Sequence, residues 1–375
     1  MNNKQETEQN MCDRLVVNFA KKPCYEIVYR DSFKDLAKEV EPFVKDAERI
    51  CVITDTVVAP LYAEEVKKAL SKLKKEVDIY EIQAGESHKN LDSIAEIYRF
   101  LTEKHYTRKD ILLALGGGVV GDMTGFAAAT YLRGIDFIQI PTTLLAQVDS
   151  SIGGKTGVDL DGYKNMVGAF YMPKLVYENV ATLKSLDDRQ FASGFAEAMK
   201  HGLIKDAKYY SWMLDNIYEI NDRETDVLKE LVYRSNLIKK AVVEKDPTEQ
   251  GDRVLLNFGH TIGHAIEKAA GFSLLHGECV ALGCVAAAQI SFMHELISKD
   301  EYLEVRDMFV PFGLPISLDY IDPEEILKNV KSDKKNGSGS LRFILLNKIG
   351  KAVVDTSVSE EDMRYVIKEL LLMND

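Results

Sequence analysis

The sequence has few cysteines, no long apolar run and no excess of basic residues, and each lack excludes a class of protein. Five cysteines in 375 residues, an odd count without a CxxC pair, argue against a disulfide framework. No apolar run approaches the roughly 20 residues that a membrane-spanning helix requires, and the polar start MNNKQETEQN lacks a signal-peptide core. We therefore expect a cytoplasmic protein with reduced thiols and no membrane partner.

The charge balance argues against a nucleic-acid partner. The chain has 47 Lys and Arg against 59 Asp and Glu, which gives a formal net charge of −12. Nucleic-acid affinity comes mainly from basic surface, so no such partner is expected, although a local cationic pocket is compatible with an acidic total. The apolar content of 46% is typical of a globular protein, and the length suits two domains.

The first half of the chain alternates strand patterns with helix patterns. After a tail predicted to be disordered over residues 1–12, the β-branched runs RICVITDTVV, VDIYEIQAG, DILLALGGG and FIQIPTT are separated by amphipathic segments. Such alternation predicts an α/β fold with a parallel sheet covered by helices on both faces. From about Ser185 onward the patterns are mostly helical until LRFILLNKIG, so we predict domains over residues 13–184 and 185–375.

A glycine motif lies between the third strand pattern and the helix that follows it. LLALGGGVVGD contains Gly116, Gly118 and Gly121 in the spacing GxGxxG, which lets a backbone approach a pyrophosphate at a helix N-terminus. The motif does not follow the first strand, and Asp136, about 20 residues on, opens a strand, so a plain glycine-rich turn is the alternative. Glu86 and Lys89, which follow the preceding strand, could reach the same ligand.

The next segment, IPTTLLAQVDSSIGGKTGVDLDGYKNMVGAF, is predicted to be a loop with an unusual composition. Asp149, Lys155, Lys164 and Asn165 lie among several glycines. Lysines on such a permissive backbone can converge on a phosphorylated, polyhydroxylated ligand. An ordinary surface loop is the alternative.

Residues 255–278, LLNFGHTIGHAIEKAAGFSLLHGE, place three histidines and two glutamates in an apolar context. His260 and His264 are four residues apart, so on a helix they share one face about 6 Å apart, a spacing that suits a metal or a ligand beside a proton-transfer group. Upstream, Glu197 lies in the apolar segment GFAEAMKHGLI, three residues before Lys200. One carboxylate and two imidazoles are a common ligand set for catalytic zinc. A simple ion pair of Glu197 with Lys200 is the alternative.

Polar residues flank this stretch on both sides. Lys239, Glu249, Arg253 and Asn257 precede His260, where either helix capping or substrate binding explains them. Near the C-terminus, KSDKKNGSGS places Lys334 and Lys335 on a predicted loop, which alone is typical of a solvated charge run.

Taken in order, these motifs resemble the 3-dehydroquinate synthases, members of the sugar phosphate cyclase superfamily. The resemblance extends from about Asp55 to Ile349 through GGGVVGDMTGFAAATYLRG, IPTTLLAQVDSSIGGKTGVDL, KNMVGAF, GFAEAMKHGLI, LLNFGHTIGHAIE, LHGECVA and DKK. It implies a Rossmann-like nucleotide-binding parallel-sheet domain followed by a mostly α-helical metal- and substrate-binding domain. It also implies a homodimer that catalyses in the cleft between the two domains.

The resemblance further implies a reaction of the shikimate pathway, which supplies chorismate and the aromatic amino acids. The family converts 3-deoxy-D-arabino-heptulosonate 7-phosphate, a phosphorylated sugar acid, to 3-dehydroquinate and phosphate, with bound NAD and a divalent metal, Zn or Co. In that chemistry NAD oxidises a substrate hydroxyl, phosphate leaves by β-elimination, and NADH returns the hydride before an intramolecular aldol closure. The NAD is regenerated at each turnover.

Site residues follow from the resemblance position by position. Metal ligands are Glu197, His260 and His276, and proton-transfer groups are His264 and Glu249. The substrate-contacting positions are Arg133, Asp149, Lys155, Asn165, Lys200, Lys239, Arg253, Asn257 and Lys334. The NAD-contacting positions are Asp55, Glu86, Lys89, Gly117, Gly118, Asp122, Thr142, Thr143, Lys164 and Thr182. Two departures from the family pattern, Tyr163 and Pro247, predict adjusted loops with activity retained.

Three alternatives remain. Another cyclase, of the 2-deoxy-scyllo-inosose or valiolone type, shares the metal and NAD but differs in the DSSIGGKTGVD and KNMVG segments. A metal-dependent polyol dehydrogenase would release NADH and needs no phosphate-binding lysines. A non-catalytic nucleotide-binding module would not require the set of Glu197, His260, His264 and His276.

Overall fold

The computed structural model describes residues 13–247, 251–271, 273–319, 321–335 and 342–372. The tail predicted over residues 1–12 and the predicted proton-transfer residue Glu249 lie outside the described residues. The chain divides into two compact units. The first contains the described residues up to Leu186 together with Leu228–Lys240, and the second contains Asp187–Val227 and the described residues from Ala241 onward.

A seven-stranded sheet forms the centre of the first unit, and a separate two-stranded hairpin accompanies it. The nine strands are β1 (Arg14–Phe19), β2 (Lys22–Arg30), β3 (Arg49–Asp55), β4 (Glu76–Ile82), β5 (Ile111–Gly116), β6 (Asp136–Pro141), β7 (Lys155–Leu160), β8 (Tyr163–Phe170) and β9 (Leu175–Asn179). The large sheet has the order β1-β2-β9-β6-β5-β3-β4, in which only the edge pair β1 and β2 is antiparallel. Strands β7 and β8 pair with each other.

Both faces of this sheet are buried. Along β3, Ile50 and Val52 pack into one apolar cluster and Cys51 and Ile53 into another, because successive side chains point to opposite faces. The covering helices are α1 (Leu36–Val40) and α2 (Glu64–Leu70) on the first cluster, and α3 (Leu91–Glu103) and α4 (Gly118–Thr130) on the second. Short 3-10 and π-helical turns occupy Glu41–Phe43, Ala59–Ala63, Ser71–Leu73, Glu86–His88, Tyr131–Arg133, Ala146–Ser150 and Val180–Ser185.

The hairpin of β7 and β8 corrects a prediction, because this segment was expected to be a loop. Gly157 and Gly168 face each other in its register, and a Cβ atom on Gly157 would lie 2.7 Å from the Val167 carbonyl oxygen. Glycine allows the two backbones to approach closely at this point. Because glycine is rare inside strands, the same residues made the segment resemble a loop in the sequence. Val158 belongs to the second apolar cluster, so the hairpin is part of the core.

The second unit is mostly helical, as predicted. Its helices are α5 (Asp188–Lys205), α6 (Ala207–Asp215), α7 (Ile217–Asn221), the ends of α8 (Thr225–Lys245), α9 (His260–Ala269), α10 (His276–Met293), α11 (Lys299–Asp307), α12 (Pro323–Lys335) and α13 (Glu360–Leu372). Further 3-10 turns occupy Asp252–Asn257 and Val310–Phe312, and the antiparallel pair β10 (Phe343–Lys348) and β11 (Lys351–Asp355) completes the unit. The predicted fold class, α/β with a helical second part, is confirmed.

Two features of the second unit bear on earlier expectations. Lys334 and Lys335 lie in the last turn of α12 and not on the predicted loop, because the helix extends through a polar segment that reads as a charge run. Helix α10 is long and apolar enough, with a mean hydropathy of 1.2, to pass a composition test for a membrane span. It is 83% buried inside the protein, as the core helix of a globular unit is.

Candidate active site

Eight of the ten residues predicted to contact NAD lie at or after the carboxyl ends of strands in the parallel sheet, whereas Asp122 lies in α4 and Lys164 in β8. In an open parallel sheet, ligands bind outside the carboxyl ends of the strands where the strand order reverses. That reversal falls at β3, which has β4 on one side and β5 on the other. Asp55 ends β3, and the following positions lie just after β4, β5, β6 and β9 respectively: Glu86 and Lys89, Gly117 and Gly118, Thr142 and Thr143, and Thr182.

The glycine-rich turn has the geometry that a close backbone approach requires. Gly117 is the N-cap of α4 and no side chain caps the helix, so the amides of its first turn are available to an anion. A Cβ atom on Gly118 would lie 2.9 Å from Ser150 Oγ, and one on Gly121 would lie 2.6 Å from Gln139 Oε1. The third glycine therefore allows α4 to pack against β6, as in dinucleotide-binding folds.

Lys89 connects two of the predicted residue sets. Its Nζ lies 2.6 Å from Asp122 Oδ2, 2.6 Å from Asn165 Oδ1 and 4.0 Å from Glu86 Oε1. Burial by itself lowers the pKa of Lys89, but the carboxylates of Asp122 and Glu86 outweigh burial and raise it, so the amine stays charged. Lys164 lies 3.9 Å from Glu86 Oε1. The NAD-side residues thus meet Asn165, which was predicted to contact substrate.

The other substrate-side predictions in the first unit differ in their surroundings. Lys239 of α8 is buried and forms an ion pair with Asp149, with Nζ 2.5 Å from Oδ1 and also in contact with the Asp149 carbonyl. Arg133 is exposed and has a left-handed φ of 67°, directly after Leu132 at 51°. Lys155 is exposed at the start of β7.

In the second unit, three helices meet and bring the predicted metal ligands together. Glu197 lies on α5, His260 begins α9 and His276 begins α10. A Cβ atom on Gly263 would lie 2.6 Å from the Cys279 carbonyl oxygen, so glycine permits the close crossing of α9 and α10. The Gly277 amide donates to Ser193 Oγ at 2.9 Å, which fixes the start of α10 against α5.

The Glu197 carboxylate is 1% exposed and lies among nitrogen atoms. Its Oε1 is 3.6 Å from Nε2 of His260 and 3.6 Å from Nε2 of His276, and its Oε2 pairs with Lys200. Among the described residues, neither oxygen has a partner with hydrogen-bond geometry. Because Oε1 faces both imidazole nitrogens at 3.6 Å while Oε2 pairs with Lys200, the arrangement fits a divalent cation bound by one carboxylate and two imidazoles.

The opposite ring nitrogens explain why both Nε2 atoms face Glu197. His260 Nδ1 lies 3.1 Å from the Phe258 carbonyl oxygen, and His276 Nδ1 lies 3.7 Å from Glu267 Oε2. Partners of this kind fix the tautomer and the ring orientation of metal-ligating histidines. No role was predicted for Glu267 from the sequence; its spacing of three residues from His264 was the available signal.

The second glutamate of the stretch, Glu278, was also left without a role. Its Oε2 accepts the Leu275 amide at 2.7 Å, and the carboxylate receives a two-pronged contact from Arg189 at 2.5 and 2.8 Å. These bonds cap α10 at its first turn. Glu278 therefore positions His276 through the backbone.

The electrostatics of the cluster suit a metal site. Burial, followed by the charge of Lys200, holds the pKa of His260 well below its usual value, so this imidazole is neutral at pH 7. Burial alone would lower the pKa of His276, but Glu197 and Glu267 outweigh it and raise the pKa to about 9. Burial alone would raise the pKa of Glu197, yet Lys200 and the two imidazoles hold it well below the usual range.

His264 lies beside the two predicted imidazole ligands. Its ring centroid is 4.9 Å from that of His260 and 5.7 Å from that of His276, and ligand atoms of all three lie within 4.8 Å of one another. His264 is the exposed member of the three. The geometry is compatible with proton transfer and also with a further metal ligand.

The remaining residues predicted to contact substrate in the second unit lie before and after the histidines in the sequence. Arg253 is buried and its Nη1 donates to the Pro247 carbonyl oxygen at 2.8 Å, so the departure at Pro247 retains a contact with a predicted substrate residue. Asn257 ends the 3-10 turn that precedes His260. The side chain of Lys334 lies outside the described part of the chain.

Comparisons with known proteins agree with this arrangement. The family profile described as 3-dehydroquinate synthase N-terminal matches residues 79–193, and the C-terminal profile matches residues 194–336. The chain is 45% identical over 339 residues to a 3-dehydroquinate synthase of Acetivibrio thermocellus, covering 90% of this chain and 94% of the relative. It is 44% identical over 350 residues to that of Ruminiclostridium cellulolyticum, covering 93% and 97%.

Solved structures with the same fold include other cyclases. A 2-deoxy-scyllo-inosose synthase complexed with carbaglucose-6-phosphate, NAD+ and Co2+ is 27% identical, with a TM-score of 0.85 over 95% of this chain and 99% of that one. The valiolone synthase ValA of Streptomyces hygroscopicus, with NAD+ and Zn2+ bound, is 26% identical, with a TM-score of 0.86 over 96% and 100%. From the two matching profiles and the identity to curated relatives, the chain belongs to the 3-dehydroquinate synthase family.

Proposed function

We propose that this chain converts 3-deoxy-D-arabino-heptulosonate 7-phosphate to 3-dehydroquinate and phosphate, the shikimate-pathway step of its family. The observation that carries the proposal is the buried Glu197 carboxylate, which lies 3.6 Å from two imidazole nitrogens in a chain of this family. The NAD and the Co2+ or Zn2+ in related cyclases support the same cofactors here. The proposed NAD-binding part is residues 13–184, and the proposed metal- and substrate-binding part is residues 185–375.

We propose that three side chains bind the metal and that a fourth transfers protons. Glu197, His260 and His276 would hold Zn2+ or Co2+, and the bound cation would supply Lewis acidity toward adjacent substrate hydroxyls. His260 is already neutral, whereas His276 would release a proton on binding because its pKa is raised to about 9. His264, exposed and one turn from His260, is proposed to move protons at the substrate.

The NAD proposal rests on the carboxyl edge of the sheet. The uncapped amides of α4 would bind the pyrophosphate, and bound NAD would supply a hydride acceptor that is restored within each turnover. Lys89 would hold Asn165 and Asp122 in place through its two 2.6 Å contacts. Asp149 and Lys239 supply a paired charge, and each charge-assisted bond to substrate is worth about 1.5–3 kcal/mol.

A substrate panel tests the proposed function. Purified protein with NAD and Zn2+ or Co2+ should release inorganic phosphate from the heptulosonate phosphate, lose activity on chelation and regain it with either metal. Release from a hexose 6-phosphate in place of the heptulosonate would indicate a cyclase of the scyllo-inosose type. Net NADH formation on a polyol would indicate a dehydrogenase. Either result would refute the proposed substrate.

A homodimer is proposed as the functional assembly. Three apolar side chains along β8 support it, because Tyr163, Met166 and Phe170 are 57%, 64% and 55% exposed. Met166 and Phe170, four residues apart, share one face of the strand, and exposed apolar side chains on one face are typical of an association surface. Sedimentation equilibrium should give twice the chain mass of 42.2 kDa.

We further propose that the protein works in the cytoplasm. The described cysteines, Cys24, Cys51, Cys279 and Cys284, all carry free thiols. Free thiols persist in a reducing compartment, which supports this location. Cell fractionation that recovers the activity with soluble cytoplasmic markers is the expected result.

A further inference from the structure

A buried carboxyl group lies in the core of the first unit without a charged partner. Glu178 of β9 is 0% exposed, and among the described residues it forms no ion pair. Its Oε1 accepts a hydrogen bond of 3.0 Å from Asn236 Nδ2, which also lies 3.2 Å from the Tyr29 hydroxyl. Three polar side chains from two strands and α8 thus form one hydrogen-bonded group inside an apolar core.

Burial favours the neutral form of the Glu178 carboxyl group. Burial raises its pKa well above the usual value, and the hydrogen bond from Asn236 opposes burial without offsetting it. Burial likewise raises the pKa of Tyr29. In the neutral form a carboxyl oxygen of Glu178 accepts from the Asn236 amide as a glutamine oxygen would.

Asn236 is one of three residues on a single face of α8 that contact the rest of the first unit. Tyr233, Asn236 and Lys239 are spaced by three, so their side chains follow one another along the helix. The Tyr233 ring packs edge-on against Tyr29 at 5.5 Å. Lys239 reaches Asp149. The hydrogen bond between Glu178 and Asn236 thus attaches α8 to β9 about one helical turn before the ion pair of Lys239 with Asp149.

We infer that Glu178 is a positioning residue that acts through Asn236 on Lys239. The bond to Asn236 fixes the rotation and the position of α8 along its axis, and so aligns Lys239 with Asp149. This inference rests on the proposed function, in which Lys239 and Asp149 bind the phosphorylated sugar acid. Apolar packing alone would stabilise the helix without specifying that alignment, because it has no directional bond.

Substitutions at Glu178 separate alignment from simple stability. Glu178→Gln keeps a neutral acceptor of the same shape, so KM for the heptulosonate phosphate should match the wild type. Glu178→Leu removes this acceptor and leaves the Asn236 amide bonded to the Tyr29 hydroxyl alone, so α8 loses its bond to β9 and KM should rise about tenfold or more with a smaller change in kcat. Thr124→Val, at a buried hydroxyl that has no hydrogen-bond partner among the described residues, is the control for polar-to-apolar change and should leave KM unchanged.

A double-mutant cycle gives the decisive comparison. In a Lys239→Met background, Glu178→Leu should have no further effect on KM, since both changes act through one contact. Additive effects would overturn the inference, as would a wild-type KM in Glu178→Leu or a raised KM in Glu178→Gln. If Glu178→Leu does not fold, Asn236→Ala replaces it in the same cycle. Wild-type protein that releases no phosphate would refute the proposed function, whereas wild-type turnover with additive variants would refute only this inference.

Discussion

His260 and His264 lie one helical turn apart, yet their surroundings differ. Nδ1 of His260 lies 3.1 Å from the Phe258 carbonyl oxygen, and its Nε2 lies 3.6 Å from Glu197 Oε1. His264 is exposed and has neighbouring rings at 4.9 and 5.7 Å. A ring held at both nitrogens suits a metal ligand, and an accessible ring suits a proton carrier.

Alanine at either position should separate the two roles. His260→Ala is expected to lose bound metal, because one of the ligands proposed for the cation is removed. His264→Ala is expected to keep the metal and to lower kcat by about 10²–10⁴-fold, the usual contribution of a general acid or base. Elemental analysis after dialysis, combined with steady-state kinetics, measures both. A metal-free His264→Ala protein with metal retained in His260→Ala would reverse the assignment.

Glu267 is expected to affect metal affinity through its contact with His276. Removing its charge with Glu267→Gln is expected to weaken metal affinity by about 10–100-fold, the range found for partners of metal-ligating histidines. Competition with a chromogenic chelator measures that affinity without any turnover. Glu361→Gln, the same change at an exposed position of α13, is the matched control. Equal affinity in the two variants would show that Glu267 does not orient the imidazole.

At the scale of elements, the crossing of α9 and α10 sets the distance between His260 and His276. Gly263→Val should push these helices apart, because its Cβ atom would meet the Cys279 carbonyl at 2.6 Å. We expect the variant to lose about 1–3 kcal/mol of unfolding free energy and to bind metal weakly. Chemical denaturation and metal titration measure the two effects. Lys268→Val, on the exposed face of α9, controls for the helix propensity of valine; a loss of the same size there would contradict the packing explanation.

Asp110 joins two backbone segments at the amino end of the sheet, its own turn and the start of β3. Its Oδ1 accepts the amides of Glu48 and Arg49 at 2.9 and 2.8 Å, and its Oδ2 accepts the amide of Thr107 at 2.7 Å. Burial alone would raise the pKa of Asp110, but these hydrogen bonds outweigh it and lower the pKa. Such a carboxylate stabilises the fold above its unfolded pKa of about 3.9 and loses that contribution as the pH falls through its folded pKa.

Asp110→Asn is therefore expected to destabilise the protein in a pH-dependent way. At pH 7 the free energy of unfolding should fall by about 1–3 kcal/mol, because the amide nitrogen cannot accept a hydrogen bond. The difference from the wild type should shrink below about pH 4, as the wild-type carboxylate becomes protonated. Urea denaturation from pH 7 to pH 3 measures it. Asp46→Asn at an exposed position is the control, and a pH-independent difference would contradict the linkage.

The elements that sequence could predict are those whose signal is local. Buried parallel strands such as β3 and β5 are apolar at nearly every position, and His260 and His264 of α9 are four residues apart, about one helical turn. No strand was predicted at the edge strand β1, because its apolar residues Leu15, Val16, Val17 and Phe19 do not alternate with polar ones as in a half-buried strand. The burial of Glu267 follows from tertiary packing of α9, whereas locally it reads as a surface glutamate.

At the scale of the whole molecule, the order of the motifs predicted the site residues, whereas the composition did not. A net charge of −12 gives no indication of paired cations such as Lys200 and Lys239, both of which are buried beside carboxylates. The Glu178 network was not predicted at all, because its partners come from β2, β9 and α8 and share no sequence pattern. Their proximity is a product of sheet order, in which β2 and β9 are neighbours.

The proposed reaction uses two cofactors and yields no net oxidation, and its stoichiometry tests this directly. Purified protein loaded with metal is mixed with excess heptulosonate phosphate and NAD below the substrate concentration, while phosphate and nicotinamide absorbance are followed together. Phosphate release that greatly exceeds the NAD present, with no NADH left at the end, is the predicted result. Phosphate limited to the amount of NAD, or NADH accumulating in proportion to product, would contradict a catalytic role for the nicotinamide.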